Sequence, residues 1–365
     1  MSGQSASPVL PDNPRARPGD KTKVMIVDDS IVVRTVLERT VSEIGEIEVV
    51  ASVSNAERAL ERLDDVSVDV ILLDLEMPGM GGIAAIPLLR EKSRGAQIIV
   101  VSQYTPHGAE KAVEALSLGA ADTFPKPEAG GFDDAYRARL GARVLGLGQR
   151  RRPVAVVSAP ELPVSPRRVP LTGVPRAVAI GASTGGIAAL EAMLQALPPR
   201  IGVPILVAQH LPSSFMKVFA KQLAKASGRP AVIAEEGMVL SPDCVYIAPG
   251  EAHLVVRLQS DRLVAQLDNR PVPSGCTPSL DPMFTSLARV LKGRVVGVVL
   301  SGMGRDGATG ASEMVAAGGC VYVQDAASSA VWGMPRAVAE AGLASAVLPP
   351  AAISERLAKQ LGVRA

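Results

Sequence analysis

Short apolar runs recur along the chain, and between them lie stretches whose apolar residues return every three or four positions. The first run is Lys23-Val24-Met25-Ile26-Val27, which ends in Asp28-Asp29 and leads into a helical pattern from Ile31 to Ile44. Further runs occupy Ile47–Val53, Val70–Leu73, Gln97–Val101 and Ala121–Phe124, with helical stretches between them. Strands alternating with helices predict a parallel, doubly wound sheet with right-handed crossovers.

The same logic repeats in the C-terminal half. Strands are expected at Ala177–Ile180, Pro204–Ala208, Val245–Ala248 and Val295–Leu300, and helices at Ile187–Leu197, Phe215–Ser227 and Asp281–Leu291. The segment Glu251–Leu267 reads as a hairpin turning at Ser260-Asp261. The expected fold class is therefore α/β, with two doubly wound parallel-sheet domains, the second carrying an antiparallel excursion. Between them, Gly148 to Pro175 holds six prolines and no sustained period, the mark of an extended, semi-rigid spacer. The expected division is a disordered tail over 1–20, a first domain over 21–147, a linker over 148–174 and a second domain over 175–365.

Composition narrows the classes. Of 365 residues, 47% are hydrophobic and 20% charged, enough to fill two cores. No apolar run approaches the ~18 residues of a spanning helix, so no membrane insertion is expected. The Pro-, Ser- and Gly-rich start lacks the apolar region of a signal peptide. A net charge of +2, with basic residues dispersed and only 3% aromatics, gives no nucleic-acid surface. Cys244, Cys276 and Cys320 contain no CxxC pair and read as reduced thiols in a cytoplasmic protein.

In an open α/β sheet, functional groups gather at the C-terminal edge of the strands. Asp28 and Asp29 end the first run, Asp74 the third, Ser102 the fourth, and Lys126 follows the fifth. Three carboxylates at one edge repel unless a cation intervenes, and a hard divalent ion such as Mg²⁺ resolves that repulsion. Such an edge suits phosphoryl transfer to a carboxylate, where catalysis is mostly charge placement. Loop acids and N-caps are the bland alternative for each acid alone.

The strings VMIVDDS, ILLDLEMPGMGG, VVSQYT and Lys126-Pro127 resemble a response-regulator receiver domain. The resemblance implies Asp74 as phosphoacceptor, Asp28 and Asp29 with Asp74 as Mg²⁺ ligands, Lys126 as phosphoryl contact and Ser102 as switch hydroxyl. Thr123 stands where receivers often carry an aromatic switch, with Phe124 beside it as the candidate substitute.

In the second half, Gly181-Ala182-Ser183-Thr184-Gly185-Gly186 sits between a strand and a helix, the context of a nucleophile elbow or of a phosphate-binding glycine loop. A serine nucleophile needs a base and a group to orient it. Only His107, His210 and His253 exist. His107 lies in the first half, His210 closes the next strand after Ser183, and His253 reads as a polar residue at a strand start. Asp306 follows the strand Val295–Leu300 and is the candidate orienter, against the reading of a turn aspartate.

GASTGG, QHLP, YIAPG, GMGRDG and WGMPRAV, in this order, resemble the chemotaxis protein-glutamate methylesterase family, CheB. The resemblance implies a flavodoxin-like receiver followed by a Rossmann-like methylesterase domain. It implies Ser183 as nucleophile, His210 as base and Asp306 as orienter, with the backbone N–H groups of Met303 and Thr184 as oxyanion donors and no cofactor for the ester hydrolysis. It further implies deamidation of receptor glutamines, chemoreceptors as substrate, a chemotaxis histidine kinase as phosphodonor, and a receiver that covers the catalytic cleft until phosphorylated. Two stretches depart from the family: Ser274 to Asp281 lacks a His-Arg pair before Pro-Ser-Leu-Asp, and Ala326-Ala327 occupies a more polar place. The rival readings are a transcriptional regulator, for which no basic helix-turn-helix is visible, an esterase with another acyl substrate, and a silent binding module.

Overall fold

The computed structural model describes residues 21–103, 105–126, 133–148 and 173–363. The expected tail over 1–20 and almost all of the expected linker lie outside the described residues.

The first domain has strands β1 (Thr22–Val27), β2 (Ile47–Val53), β3 (Val70–Leu73), β4 (Gln97–Ser102) and β5 (Asp122–Pro125). Helices α1 (Ile31–Ser42), α2 (Ala56–Arg62), α3 (Gly81–Lys92), α4 (Pro106–Ser117) and α5 (Asp134–Gly148) alternate with them. The strands pair in the order β2-β1-β3-β4-β5, and every pairing is parallel. All four residues of β3 are buried, as befits a strand covered on both faces. Local chemistry starts the helices: the Ser30 hydroxyl accepts the Val33 N–H, and Thr105 caps α4 with Pro106 in its first turn.

The second domain contains β6 (Val178–Ala182), α6 (Gly186–Ala196), β7 (Ile205–Gln209), α7 (Ser213–Ser227), β8 (Ala231–Ile233) and β9 (Val245–Ile247). The hairpin β10 (His253–Gln259) and β11 (Arg262–Asp268) follows, then α8 (Leu280–Leu291) and β12 (Val296–Val299). The chain closes with α9 (Ala308–Ala316), β13 (Cys320–Gln324), α10 (Met334–Glu340), β14 (Ala346–Leu348) and α11 (Pro350–Leu361). Seven parallel strands run in the order β14-β13-β12-β6-β7-β9-β8. The hairpin is antiparallel and turns at Ser260-Asp261, both with positive φ, 48° and 61°.

The chain enters this sheet at β6, builds outward through β7, then returns to the other side of β6 with β12. That reversal puts the topological switch point between β6 and β12, where a crevice opens at the strand ends. The two domains are packed together. Helix α4 lies against α6 and α7, and Ala330 and Val331 of the second domain pack onto the apolar cluster of the first. Among the described residues no helix is long and apolar enough to cross a membrane.

Candidate active site

At the C-terminal edge of the first sheet, one oxygen each of Asp28, Asp29 and Asp74 lie within 4.8 Å of one another. Asp28 and Asp74 are buried and Asp29 exposed. Lys126 Nζ is 3.0 Å from Asp28 Oδ2 and 2.7 Å from Asp74 Oδ2. No hydrogen-bond donor satisfies those two oxygens besides this ion pairing. Burial pushes the Asp74 carboxyl up, against the opposing pull of Lys126. Burial also disfavours the charged Lys126, but its bonds to Asp74 and Asp28 win and raise its pKa. A carboxylate trio whose two buried oxygens meet only Lys126 among the described residues has the donor set a hard divalent cation takes. Ser102 ends β4 on this edge, its buried hydroxyl without a partner among the described residues. Phe124, the candidate substitute for the aromatic switch, is buried edge-on against Tyr136 of α5, centroids 5.2 Å apart.

The second constellation forms where β6 ends. Ser183 N–H donates to the Ser301 carbonyl and His210 N–H to the Ala182 carbonyl, tying the ends of β6, β7 and β12 together. Gly185, at φ 71°, turns the chain into α6; a Cβ there would stand 2.2 Å from Ala330 Cβ. Gly302 allows the loop after β12 to press on the serine, since a Cβ there would lie 2.9 Å from Ser183 Cβ. Met303 follows at once, and Gly302 is itself held by Val331 and by a bridge to Trp332.

His210 Nδ1 lies 3.1 Å from Ser183 Oγ, and His210 Nε2 lies 2.9 Å from Asp306 Oδ2. Asp306 is fixed by the Ser279 hydroxyl at 2.5 Å and by Leu280 N–H at 2.8 Å. Burial opposes the charged imidazole, yet the bond to Asp306, with Cys276 alongside, raises its pKa to about 9. Burial would raise the Asp306 carboxyl, but His210, Ser279 and Leu280 hold it below the usual carboxylate range. A hydroxyl, an imidazole and an oriented carboxylate in line can move a proton off the hydroxyl as it attacks a carbonyl. His253 takes no part: it is buried, accepts Ser279 N–H on Nδ1 and meets the Arg270 carbonyl through Nε2. Its role is to hold the segment that presents Ser279.

The residue after the serine reaches across to the other domain. Thr184 Oγ1 donates to Asp122 Oδ2 at 2.6 Å, Arg143 Nη1 is 2.7 Å from the same oxygen, and Arg143 also donates to Thr184 Oγ1. Gly185 N–H donates to the Ala121 carbonyl at 2.6 Å, and Ser117 Oγ to the buried Glu191 at 2.8 Å. Met303 Cε rests on Gly146 of α5, where a Cβ would be 2.1 Å away. Ser183 is only 5% exposed, and the first domain holds the residues beside it, Thr184 and Gly185.

Sequence reasoning missed Ser279, Asp122 and Arg143. Ser279 carried one signal, its place in the Pro-Ser-Leu-Asp string; the other two lie in the receiver half, with nothing local to mark them.

Fold and site define a class: a response regulator whose output domain has the geometry of a serine hydrolase. Residues 24–131 match the response regulator receiver domain, and residues 178–357 match the family described as CheB methylesterase. A protein-glutamate methylesterase/protein-glutamine glutaminase of Caulobacter vibrioides is 44% identical over 331 residues, covering 90% of this chain and 95% of its own. One from Nitrobacter hamburgensis is 39% identical over 372 residues, 97% of each chain. The crystal structure of the Thermotoga maritima CheB methylesterase catalytic domain, 36% identical, covers 51% of this chain and 99% of its own with a TM-score of 0.50. The chain belongs to the CheB family of response-regulator methylesterases.

Proposed function

We propose that this chain is a cytoplasmic protein-glutamate methylesterase and protein-glutamine glutaminase, acting on chemoreceptors and activated by phosphorylation of Asp74. The observation that carries the reading is the unbroken relay from Ser183 Oγ through the His210 ring to Asp306, at 3.1 and 2.9 Å.

The base form of His210 is the tautomer protonated on Nε2, which donates to Asp306 and leaves Nδ1 free to accept. Nδ1 takes the Ser183 proton as Oγ bonds to the ester carbon of a methylated glutamate. The backbone N–H groups of Met303 and Thr184 hold the developing oxyanion. The tetrahedral carbon then expels methanol, which leaves with the proton from Nδ1, or ammonia when the substrate is glutamine. A water, deprotonated by Nδ1 in turn, attacks the acyl-serine and releases free glutamate.

In the receiver, Asp28, Asp29 and Asp74 would hold Mg²⁺. When bound, the ion offsets the mutual repulsion of the carboxylates and of an incoming phosphoryl group. The Asp74 carboxylate accepts the phosphoryl group from the phosphohistidine of a chemotaxis histidine kinase, Lys126 pairs with the phosphoryl oxygens, and Ser102 donates to one. Drawing Lys126 away from its present pairing moves the end of β5, the strand whose start carries the Asp122 contact to Thr184. Support for gating comes from the 5% exposure of Ser183 beneath that contact.

The reading is tested by mass spectrometry of a purified receptor fragment bearing glutamyl methyl esters and regulatory glutamines. Conversion of both to glutamate, absent with Ser183→Ala, is expected. Hydrolysis of small activated esters with the receptor fragment untouched would assign the relay to another acyl substrate.

A further inference from the structure

The free thiol of Cys276 stands beside the His210 ring but takes no proton and forms no bond in the steps above. One atom each of the His210 ring, the Cys276 thiol and the Asp306 carboxylate lie within 4.8 Å of one another. One nitrogen, one sulfur and one oxygen form the donor set of a borderline-soft divalent cation. Four-coordinate zinc holds such atoms at about 2.0–2.3 Å, which puts them roughly 3.3–3.8 Å apart. His210 Nε2 and Asp306 Oδ2 are 2.9 Å apart, so an ion between them asks that pair to part by a few tenths of an ångström and the Cys276 thiol to complete the set. That residue is half-exposed; its thiol meets the Ser274 carbonyl at 3.7 Å and the His210 ring. The surrounding shell is in place, since Ser279 and Leu280 fix the Asp306 carboxylate at 2.5 and 2.8 Å.

We propose that His210, Cys276 and Asp306 form an inhibitory site for a zinc-class divalent cation, a regulation that rests on reading His210 as the base for Ser183. The ion occupies the place of the proton between Nε2 and Asp306, and the thiol coordinates as thiolate, its proton passing to solvent. The neutral ring must then carry its hydrogen on Nδ1, where it points at Ser183 Oγ. A ring that donates to Oγ cannot take its proton, so acylation stops. The fourth coordination position is left to water. The all-oxygen trio of Asp28, Asp29 and Asp74 favours Mg²⁺, so one molecule sorts the two ions by donor type.

The test uses the full chain, wild type and Cys276→Ser, both saturated with Mg²⁺. Co²⁺ titrated into wild type is expected to give a thiolate-to-cobalt charge-transfer band that Zn²⁺ abolishes, while Cys276→Ser, which keeps Cys244 and Cys320, gives none. Zn²⁺ is expected to suppress hydrolysis of an activated ester by wild type, measured against each variant's own chelator-treated rate. Half-inhibition of Cys276→Ser should require about tenfold more Zn²⁺ or higher. Identical cobalt spectra, or equal inhibition of the two proteins, would overturn the site. Chelator-treated hydrolysis that survives Ser183→Ala would instead sink the reading of the base, and the cobalt spectra would still decide the metal site.

Discussion

His210 sets the pH behaviour of the site, because the same bond that orients its ring also favours its charged form. Its folded pKa of about 9 exceeds the ~6.5 of a free histidine. Protonation of His210 therefore stabilises the fold fully below about pH 6.5, and that contribution is lost as the pH rises through about 9. Catalysis has the opposite sign, since only the neutral ring accepts the serine proton. The kcat/KM for an activated ester is expected to rise between pH 7 and 9, and a profile already flat at pH 7 would contradict it. Asp306→Asn removes the largest favourable contact of the imidazolium and should move the midpoint down while lowering kcat by about 10⁴, the scale of the equivalent change in serine proteases. Ser279 acts through Asp306 as a positioning residue. A hydrogen bond to a charged partner contributes about 1.5–3 kcal/mol, so Ser279→Ala should cost about 10- to 100-fold in kcat with KM little changed. Loss of thermal stability without that kinetic change would reduce Ser279 to its role as the cap of α8.

At the scale of elements, the strands that end in chemistry were the legible ones. Strand β3 is wholly apolar up to Asp74, and β6 up to Ser183, so their ends are marked by the abrupt change from apolar to polar or glycine. Strands β8 and β14 have three residues each, too few for a period, and they sit at the edges of the sheet, where burial is incomplete. Strand β13 is buried throughout, and a short apolar run of that kind cannot be told from helix by periodicity. The relay could be placed from the sequence because all its members follow parallel strands, but the ring's orientation, Nδ1 toward Ser183, is a tertiary result. The Asp122–Arg143–Thr184 contact was equally illegible, joining residues 62 and 41 positions apart. It ties the start of β5 and the body of α5 to the nucleophile's neighbour. Asp122→Ala should loosen that tie and raise the unphosphorylated rate by about fivefold or more, the lower range of typical coupling energies. An unchanged basal rate would locate the closure elsewhere, in the packing of α4 on α6 and α7.

As a whole molecule, the chain joins two sheets whose functional edges differ in chemistry: an all-oxygen carboxylate pocket with one lysine, and a relay of hydroxyl, imidazole and carboxylate. The first domain packs against the second beside the nucleophile, with Ser183 5% exposed and Met303 resting on α5. A switch between closed and open arrangements needs a ligand that favours one of them, and in the proposed function a phosphoryl group on Asp74 would supply that difference by drawing on Lys126. Asp74→Asn should keep the basal esterase rate and lose all response to phosphodonor, a result read by comparing ester hydrolysis with and without acetyl phosphate. The central claim is tested most directly by methanol release from membranes carrying methyl-labelled chemoreceptors, for wild type and Ser183→Ala, each with and without acetyl phosphate and Mg²⁺. Release that rises with phosphodonor in wild type and is absent from Ser183→Ala is the predicted result. Release that persists without Ser183, or that ignores the phosphodonor, would contradict it.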